Sequence, residues 1–202
     1  MKIYFVRHGE TIWNKKRKYQ GQVNTPLSED GLRQARLTAE GMKEIPFDCI
    51  FSSPLQRAYV TADTIRGDRD IPIIQDERLK EISFGIYEGR FIDKMEAPGR
   101  NRALRFRNDP VRYRAPKYGE NFTDVIKRAD AFLKEQVFPL EGKMEHVLVA
   151  AHGCSLRSCI LLLTGRELRD FWETPFGKNC STALFEYENG QAKMIYENKI
   201  YY

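Results

Sequence analysis

Short apolar runs alternate along this chain with stretches whose apolar positions recur at helical spacing. Lys2 to Val6 reads as a buried strand ending in Arg7-His8-Gly9. Leu27-Ser28-Glu29-Asp30 reads as a helix start, with Ser28 as N-cap and acids in the first turn. Leu32, Ala35, Ala39 and Met42 then mark its apolar face. Asp48 to Ser52 is a second strand, and Ser53-Pro54 the expected N-cap and first residue of a helix with Leu55, Ala58, Ala62 and Ile65 on its buried side. Ile71 to Ile74 is a third strand. Phe122, Val125, Ala129 and Leu133 give another amphipathic helix. His146 to Ala151 is a strongly apolar strand, followed by a helix expected to stop near Gly165. Ser181 to Glu188 and Ala192 to Asn198 flank Asn189-Gly190, the strongest short hairpin signal in the chain.

Strands alternating with helices predict an α/β fold: a three-layer α/β/α sandwich around a mostly parallel mixed sheet. The terminal hairpin makes at least one strand antiparallel. Residues 83–118 break the pattern, being rich in Gly, Pro and Arg, and are expected to form an irregular or helical insertion over the active site. The 202 residues are thus expected to form one domain, 1–202. In such sheets ligands bind beyond the carboxyl ends of the strands, so residues just after each strand carry the most information about function.

Two of the three histidines stand there. His8 and His152 each follow an apolar strand and precede a glycine. Arg7 adjoins the first, and Arg57 falls in the first turn after the second strand. Guanidinium forks match phosphate oxygens, a neutral imidazole nitrogen is a nucleophile towards phosphorus, and a second imidazole can donate to a non-bridging oxygen. Phosphoryl transfer asks chiefly for positioning and for stabilisation of spreading negative charge. Glu81, after the third strand, is the candidate acid for the leaving oxygen, with Glu88 a weaker one. His146 precedes its strand, at the opposite rim, and reads as structural.

Composition changes this picture little. The net charge of +5 is concentrated in residues 100–117, where six Arg and one Lys stand against one Asp. Lys15-Lys16-Arg17-Lys18 is a second basic block. Such blocks suit a polyanionic small substrate, a nucleic acid or a solvated surface alike. The N-terminus does not read as a signal peptide, because its apolar run meets Arg7 and His8 at once. No membrane partner is expected. Cys49, Cys154, Cys159 and Cys180 form no C-x-x-C pair, and free thiols suit a cytoplasmic location.

Arg7-His8-Gly9-Glu10-Thr11 resembles the signature of the histidine phosphatase superfamily, the phosphoglycerate mutase-like group. The resemblance continues through Trp13-Asn14, Gln20-Gly21, Pro26-Leu27-Ser28, Ser52-Ser53-Pro54-Leu55-Gln56-Arg57-Ala58, Leu79 to Gly89, Gly119-Glu120-Asn121-Phe122 and His152-Gly153-Cys154-Ser155-Leu156-Arg157. It implies that His8 is the phosphorylated nucleophile, that Arg7, Arg57 and His152 hold the phosphoryl group, and that Glu81 is general acid and then base. It also implies that Asn14, Gln20, Gly21 and Gly153 line the phosphate and substrate pocket, with no metal or other cofactor. Gln20-Gly21-Gln22 resembles the phosphatase branch rather than the sugar-phosphate mutases, which usually show Thr-Gly-Trp there.

The expectation is a metal-independent phosphomonoesterase of the histidine acid phosphatase type, acting on a small phosphorylated metabolite. A phosphoglycerate mutase-type transferase is the alternative within the same chemistry. Arg112 and Arg114 are expected to bind a second anionic group of the substrate. A non-catalytic basic binding module is the alternative of another class. No recognised nucleic-acid motif supports it, so nucleic acid is not expected as a partner. Neither Cys-x5-Arg nor a P-loop is present.

Overall fold

A computed structural model describes residues 1–95, 101–174 and 176–202, of which 101–104 as backbone alone. The elements follow in the order β1 (Lys2–Arg7), α1 (Ile12–Lys15), α2 (Glu29–Gly41), β2 (Cys49–Ser52), α3 (Gln56–Arg66), β3 (Ile73–Gln75), α4 (Ile92–Met95), α5 (Asn101–Asn108), α6 (Phe122–Phe132), β4 (His146–Ala151), α7 (Gly153–Thr164), β5 (Thr182–Glu188) and β6 (Gln191–Lys199). The six strands form one mixed sheet in the order β3-β2-β4-β1-β5-β6. The first four in that order are mutually parallel, and β5 runs antiparallel to both β1 and β6. Asn189 and Gly190 both take positive φ, the geometry of a type I′ turn, between β5 and β6.

The two-residue period of the buried strands divides their side chains between two cores. Ile3 and Phe5 of β1, with Val147, Val149 and Ala151 of β4, pack against Ala129 and Phe132 of α6 and Leu156, Cys159 and Ile160 of α7. Tyr4, Val6, Leu148 and Ala150 face the other way, against Met42 beyond α2 and Ala62 and Ile65 of α3. Helices therefore cover both faces of the sheet. Among the described residues no helix is long and apolar enough to cross a membrane.

Three local expectations are corrected. The helix after β2 begins at Gln56 with Leu55 as its N-cap, and no side chain caps it. Ser53 and Pro54 lie in the approach to it, where the Ser53 hydroxyl accepts from the Leu55 amide (3.3 Å). On α2, Leu32 is solvent-exposed, and the buried positions are Gly31, Ala35 and Thr38, with Met42 buried just beyond the helix end as expected. The third strand is shorter than expected and begins at Ile73.

The excursion leaves and rejoins the sheet layer through a bridge between Phe84 and Gly119. A third apolar cluster holds it down. Phe106 of α5 stacks on Phe122 at 5.1 Å and meets Phe84 at 4.9 Å and Trp172 at 5.1 Å. Residues 96–100, Arg100 included, lie outside the described residues.

Candidate active site

The register of the sheet sets three chain reversals side by side. Arg7 pairs with Ala151 and Ser52 with Ala150, so the residues that follow each strand meet at one rim. The His8 amide donates to Ala151 O (3.0 Å) and the Ser53 amide to Ala150 O (3.0 Å). The His8 and His152 rings consequently lie 5.1 Å apart, centroid to centroid.

His8 is buried. Its Nδ1 lies 2.7 Å from Gly9 O, so this nitrogen carries the proton and Nε2 keeps its lone pair. Burial, reinforced by the charges of Arg57 and Arg7, holds the imidazole well below its ordinary value, so the ring is neutral at neutral pH. Gly9 is a position where only glycine fits, since a methyl there would lie 2.5 Å from Gly31 O.

Arg57 is 1 % exposed. Its guanidinium is tied by three bonds, none of them to a carboxylate: Nη2 donates to Gly21 O (2.7 Å), Nη1 to Val23 O (2.9 Å) and Nε to His152 Nδ1 (3.2 Å). Burial lowers it to about 10, with Glu81 and Glu88 opposing, and it stays protonated at neutral pH. Gly21 takes a positive φ, and a side chain there would collide with the Glu88 carboxylate, so glycine is required for its carbonyl to reach Arg57. Arg7 donates through Nη1 to Gly177 O (2.8 Å) and Phe176 O (3.2 Å), and its buried Nε has no hydrogen-bond partner.

Glu81 is reached through a short turn after β3. Its Oε1 accepts from the amides of Ile82 (2.9 Å) and of Cys154 (3.0 Å). The segment carrying it is clamped by Arg128 of α6, which donates to Arg78 O (2.6 Å) and pairs with Glu120 (3.0 Å). Glu120 in turn accepts from the Ser83 amide (2.9 Å).

These groups open on a cavity of about 310 Å³, lined by Arg7, His8, Gln20, Gly21, Arg57, Glu81 and Gly153 at the sheet end. Phe84, Ile92, Phe106 and Arg107 of the excursion and Lys18 before it line the cavity as well, with Arg157 and Trp172. Gln20 Oε1 lies 2.7 Å from the Thr11 hydroxyl and 2.6 Å from that of Thr25, which leaves its NH2 as the group for the cavity.

Other expected site residues do not line this cavity. His152 is fully buried behind Arg57. Its Nδ1 accepts from Arg57 and its Nε2 donates to Ser53 Oγ (2.8 Å), so both ring nitrogens are engaged and direct donation to a phosphoryl oxygen is not what this arrangement offers. Asn14 completes the capping box of α1, its Oδ1 accepting from the amide of the N-cap Thr11 (3.0 Å), and lines a neighbouring pocket with Arg17, Lys18, Ile92 and Arg107. Glu88 faces away from the cavity: its carboxylate accepts from the amides of Gln22 (3.1 Å), Val23 (3.1 Å) and Phe84 (2.9 Å) and so fastens the excursion to the loop before α2. Arg112 and Arg114 do not line the cavity. Arg112 is exposed, its Nε 3.8 Å from Asp109, and Arg114 donates to Tyr113 O (2.9 Å). His146 is structural, 3.3 Å from the Tyr4 hydroxyl at the other end of the sheet.

Arg128 carries no role in the sequence; Ser53 is expected there only as a helix N-cap, Arg107 only as part of the Arg-rich stretch and Arg157 only within the His152 to Arg157 motif. Arg157 also stands four residues after Gly153 on a helix, hence on the same face. Among the described residues no group of three or more His, Cys, Asp or Glu is placed to hold a metal ion.

Comparisons with known proteins converge on one family. The sequence model of the histidine phosphatase superfamily (branch 1) matches residues 3–199. Phosphoserine phosphatase 1 of Hydrogenobacter thermophilus is 31% identical, over 92% of this chain and 84% of its own. The 2,3-bisphosphoglycerate-dependent phosphoglycerate mutase of Chlamydia muridarum is 32% identical, over 87% and 90%. Among solved structures, Bacillus stearothermophilus YhfR superposes with a TM-score of 0.91 at 34% identity, covering 98% of this chain and 97% of that one. With the match running nearly end to end, the chain belongs to branch 1 of the histidine phosphatase superfamily.

Proposed function

We propose that this protein hydrolyses phosphomonoesters of small metabolites through a phosphohistidine on His8. The observation that carries the reading is the state of that ring: buried, neutral, with Nδ1–H fixed on Gly9 O and Nε2 left as nucleophile beside two guanidiniums. In the first step Nε2 attacks phosphorus in line, forming P–N as the ester P–O bond breaks. Glu81 gives its proton to the departing alkoxide. Arg7 Nε and the Arg57 guanidinium stabilise the charge on the equatorial oxygens. In the second step Glu81 takes a proton from water, whose oxygen displaces the imidazole and releases phosphate. His152 acts in this scheme by orienting Arg57 against the Ser53 hydroxyl.

Residues 83–118 serve as a cap within a single domain 1–202, choosing the substrate. Four buried thiols, none of them in a disulfide, agree with a cytoplasmic site of action. Gln20 and Gly21 at the cavity wall favour hydrolysis over mutase transfer, as their resemblance to the phosphatase branch implies.

Rapid quenching of a reaction with a 32P-labelled ester tests this. Acid-labile label is expected on position 8, in an amount stoichiometric with enzyme, and none in His8→Asn. Phosphate release is expected to survive EDTA. Label on another residue, or isomerised ester in place of phosphate, would overturn the hydrolase reading.

A further inference from the structure

The charge lining the cavity exceeds what one phosphoryl group can balance. Arg7, Lys18, Arg57, Arg107 and Arg157 stand against Glu81 alone among the described lining residues. A phosphomonoester dianion offsets two of these charges. Part of the surplus is expensive: a guanidinium taken from water without a carboxylate is costly to keep, and Arg157 is 8 % exposed.

Arg157 is held by neutral groups. Nε donates to Thr174 O (3.2 Å), Nη1 to Gly153 O (3.4 Å, a long bond), and the guanidinium lies 5.0 Å over the Trp172 ring. Trp172 is itself fixed by donation from Nε1 to Phe106 O (2.8 Å). The guanidinium points at the reacting end: a methyl group placed on Gly153 would be 3.5 Å from Arg157 Nη1, 3.6 Å from Glu81 Oε2 and 3.9 Å from Arg7 Nε. Burial holds Arg157 below its ordinary value; Arg7 and Arg107 press the same way, and Cys154 and Glu81 oppose them. An anion beside Arg157 would add to the opposing side.

We infer that Arg157 anchors a second anionic group of the substrate, so that this cavity selects phosphomonoesters that also carry a carboxylate or a second phosphate. The inference rests on the hydrolase reading and gives Arg157 the role that Arg112 and Arg114 were expected to fill. Trp172 acts as a positioning residue, holding the guanidinium in place from the cap side. A merely structural Arg157, tying Thr174 to α7, is the competing account.

The test compares glycerol 3-phosphate with 3-phosphoglycerate and glycerol 1,3-bisphosphate. For the unaltered protein, kcat/KM for at least one doubly anionic ester should exceed that for glycerol 3-phosphate by about 10-fold or more. Whichever it is tells carboxylate from phosphate. In Arg157→Met that ratio should collapse towards one, through KM, and Arg157→Lys should restore part of it. A ratio near one in the unaltered protein, or an equal loss on all three esters in Arg157→Met, overturns the proposal. If the unaltered protein released no phosphate from any ester, including p-nitrophenyl phosphate, the hydrolase reading would fall separately. Calorimetric affinities of the same three esters would then decide on the second-anion site alone.

Discussion

At the strand ends every reactive side chain is fixed by main-chain atoms. Gly9 O sets the tautomer of His8, the carbonyls of Gly21 and Val23 hold Arg57, and two amides hold Glu81. Across the cavity the excursion presents side chains instead: Phe84, Ile92 and Phe106, kept in place by packing in one apolar cluster, and Arg107 beside them. The first region can change only if the sheet changes, whereas the second can change one residue at a time. Substitutions at the strand ends should therefore act on kcat, and substitutions facing the excursion on KM.

Glu81 offers the largest expected effect that leaves the nucleophile in place. Glu81→Gln keeps an acceptor for the Cys154 amide but removes the transferable proton, and should slow turnover by about 10² to 10⁴-fold. The loss should shrink for an ester whose alcohol leaves unaided, such as p-nitrophenyl phosphate. An equal loss on alkyl and nitrophenyl esters would mean that Glu81 positions and does not protonate. The same experiment in Arg128→Ala, which frees the 78–83 segment while leaving the carboxyl chemically intact, separates the placing of the acid from its chemistry.

Acid should weaken the strand-end region as a whole. Burial is the first cause of depression at both His8 and His152, with the charge of Arg57 next. Their folded values lie below 6.5, so at a pH below 6.5 the unfolded chain binds protons that the folded chain refuses. This stability is present in full above about 6.5 and is lost as pH falls below it, by up to ~1.4 kcal/mol per pH unit for each histidine. Tm should drop between pH 7 and pH 5, and less steeply in His8→Gln. A Tm that stayed level over this range would show that neither ring is held neutral. Activity, which needs neutral His8, should persist below pH 6.5 while the fold does.

Much of this rim was legible from the chain. Apolar strands ending in His-Gly place His8 and His152 because parallel strands in register share their carboxyl ends, and Arg57 follows from its helix. What stayed hidden has a common cause: which atoms of a residue are already engaged. Glu88 and Glu81 are alike in sequence, yet only Glu81 lines the cavity, because amides that come together when the excursion folds back hold Glu88 outside it. His152 reads as a phosphate donor until Ser53, ninety-nine positions away, takes its Nε2. The Arg-rich stretch showed charge but not direction, because direction depends on how Phe106 seats α5.

Ser53 gives a smaller effect that locates the boundary of the chemistry. Its hydroxyl accepts from His152, which accepts from Arg57. Ser53→Ala leaves a buried ring N–H without an acceptor, at a cost of about 1–3 kcal/mol in stability. It also frees the ring to turn, and Arg57 with it. A fall in kcat of roughly 10-fold, with KM little changed, is the expected outcome. Lower Tm with unaltered kcat would assign Ser53 to the fold alone and would leave His152 available as a direct donor.

The smallest effect is expected where charge is densest in the sequence. Arg112 stands in an exposed hollow with Asp109, Val111 and the 167–169 segment, outside the catalytic cavity, and Arg114 turns back on its own main chain. Exposed charges that make no contact with the substrate are screened by solvent and salt, so neither should act as an anchor for it. Arg112→Ala and Arg114→Ala, singly or together, should leave kcat/KM within about 2-fold on singly and doubly anionic esters alike. Removing one charge at Arg107, five positions earlier but lining the cavity, should raise KM for the doubly anionic esters more than for glycerol 3-phosphate. If instead Arg112→Ala weakened the doubly anionic esters as much as Arg107→Ala did, net charge over the whole excursion, and not its placement, would govern selection. The contrast between a fixed strand-end region and an adjustable facing wall would then lose its physical basis, since the facing wall would act as a field and not as a set of contacts.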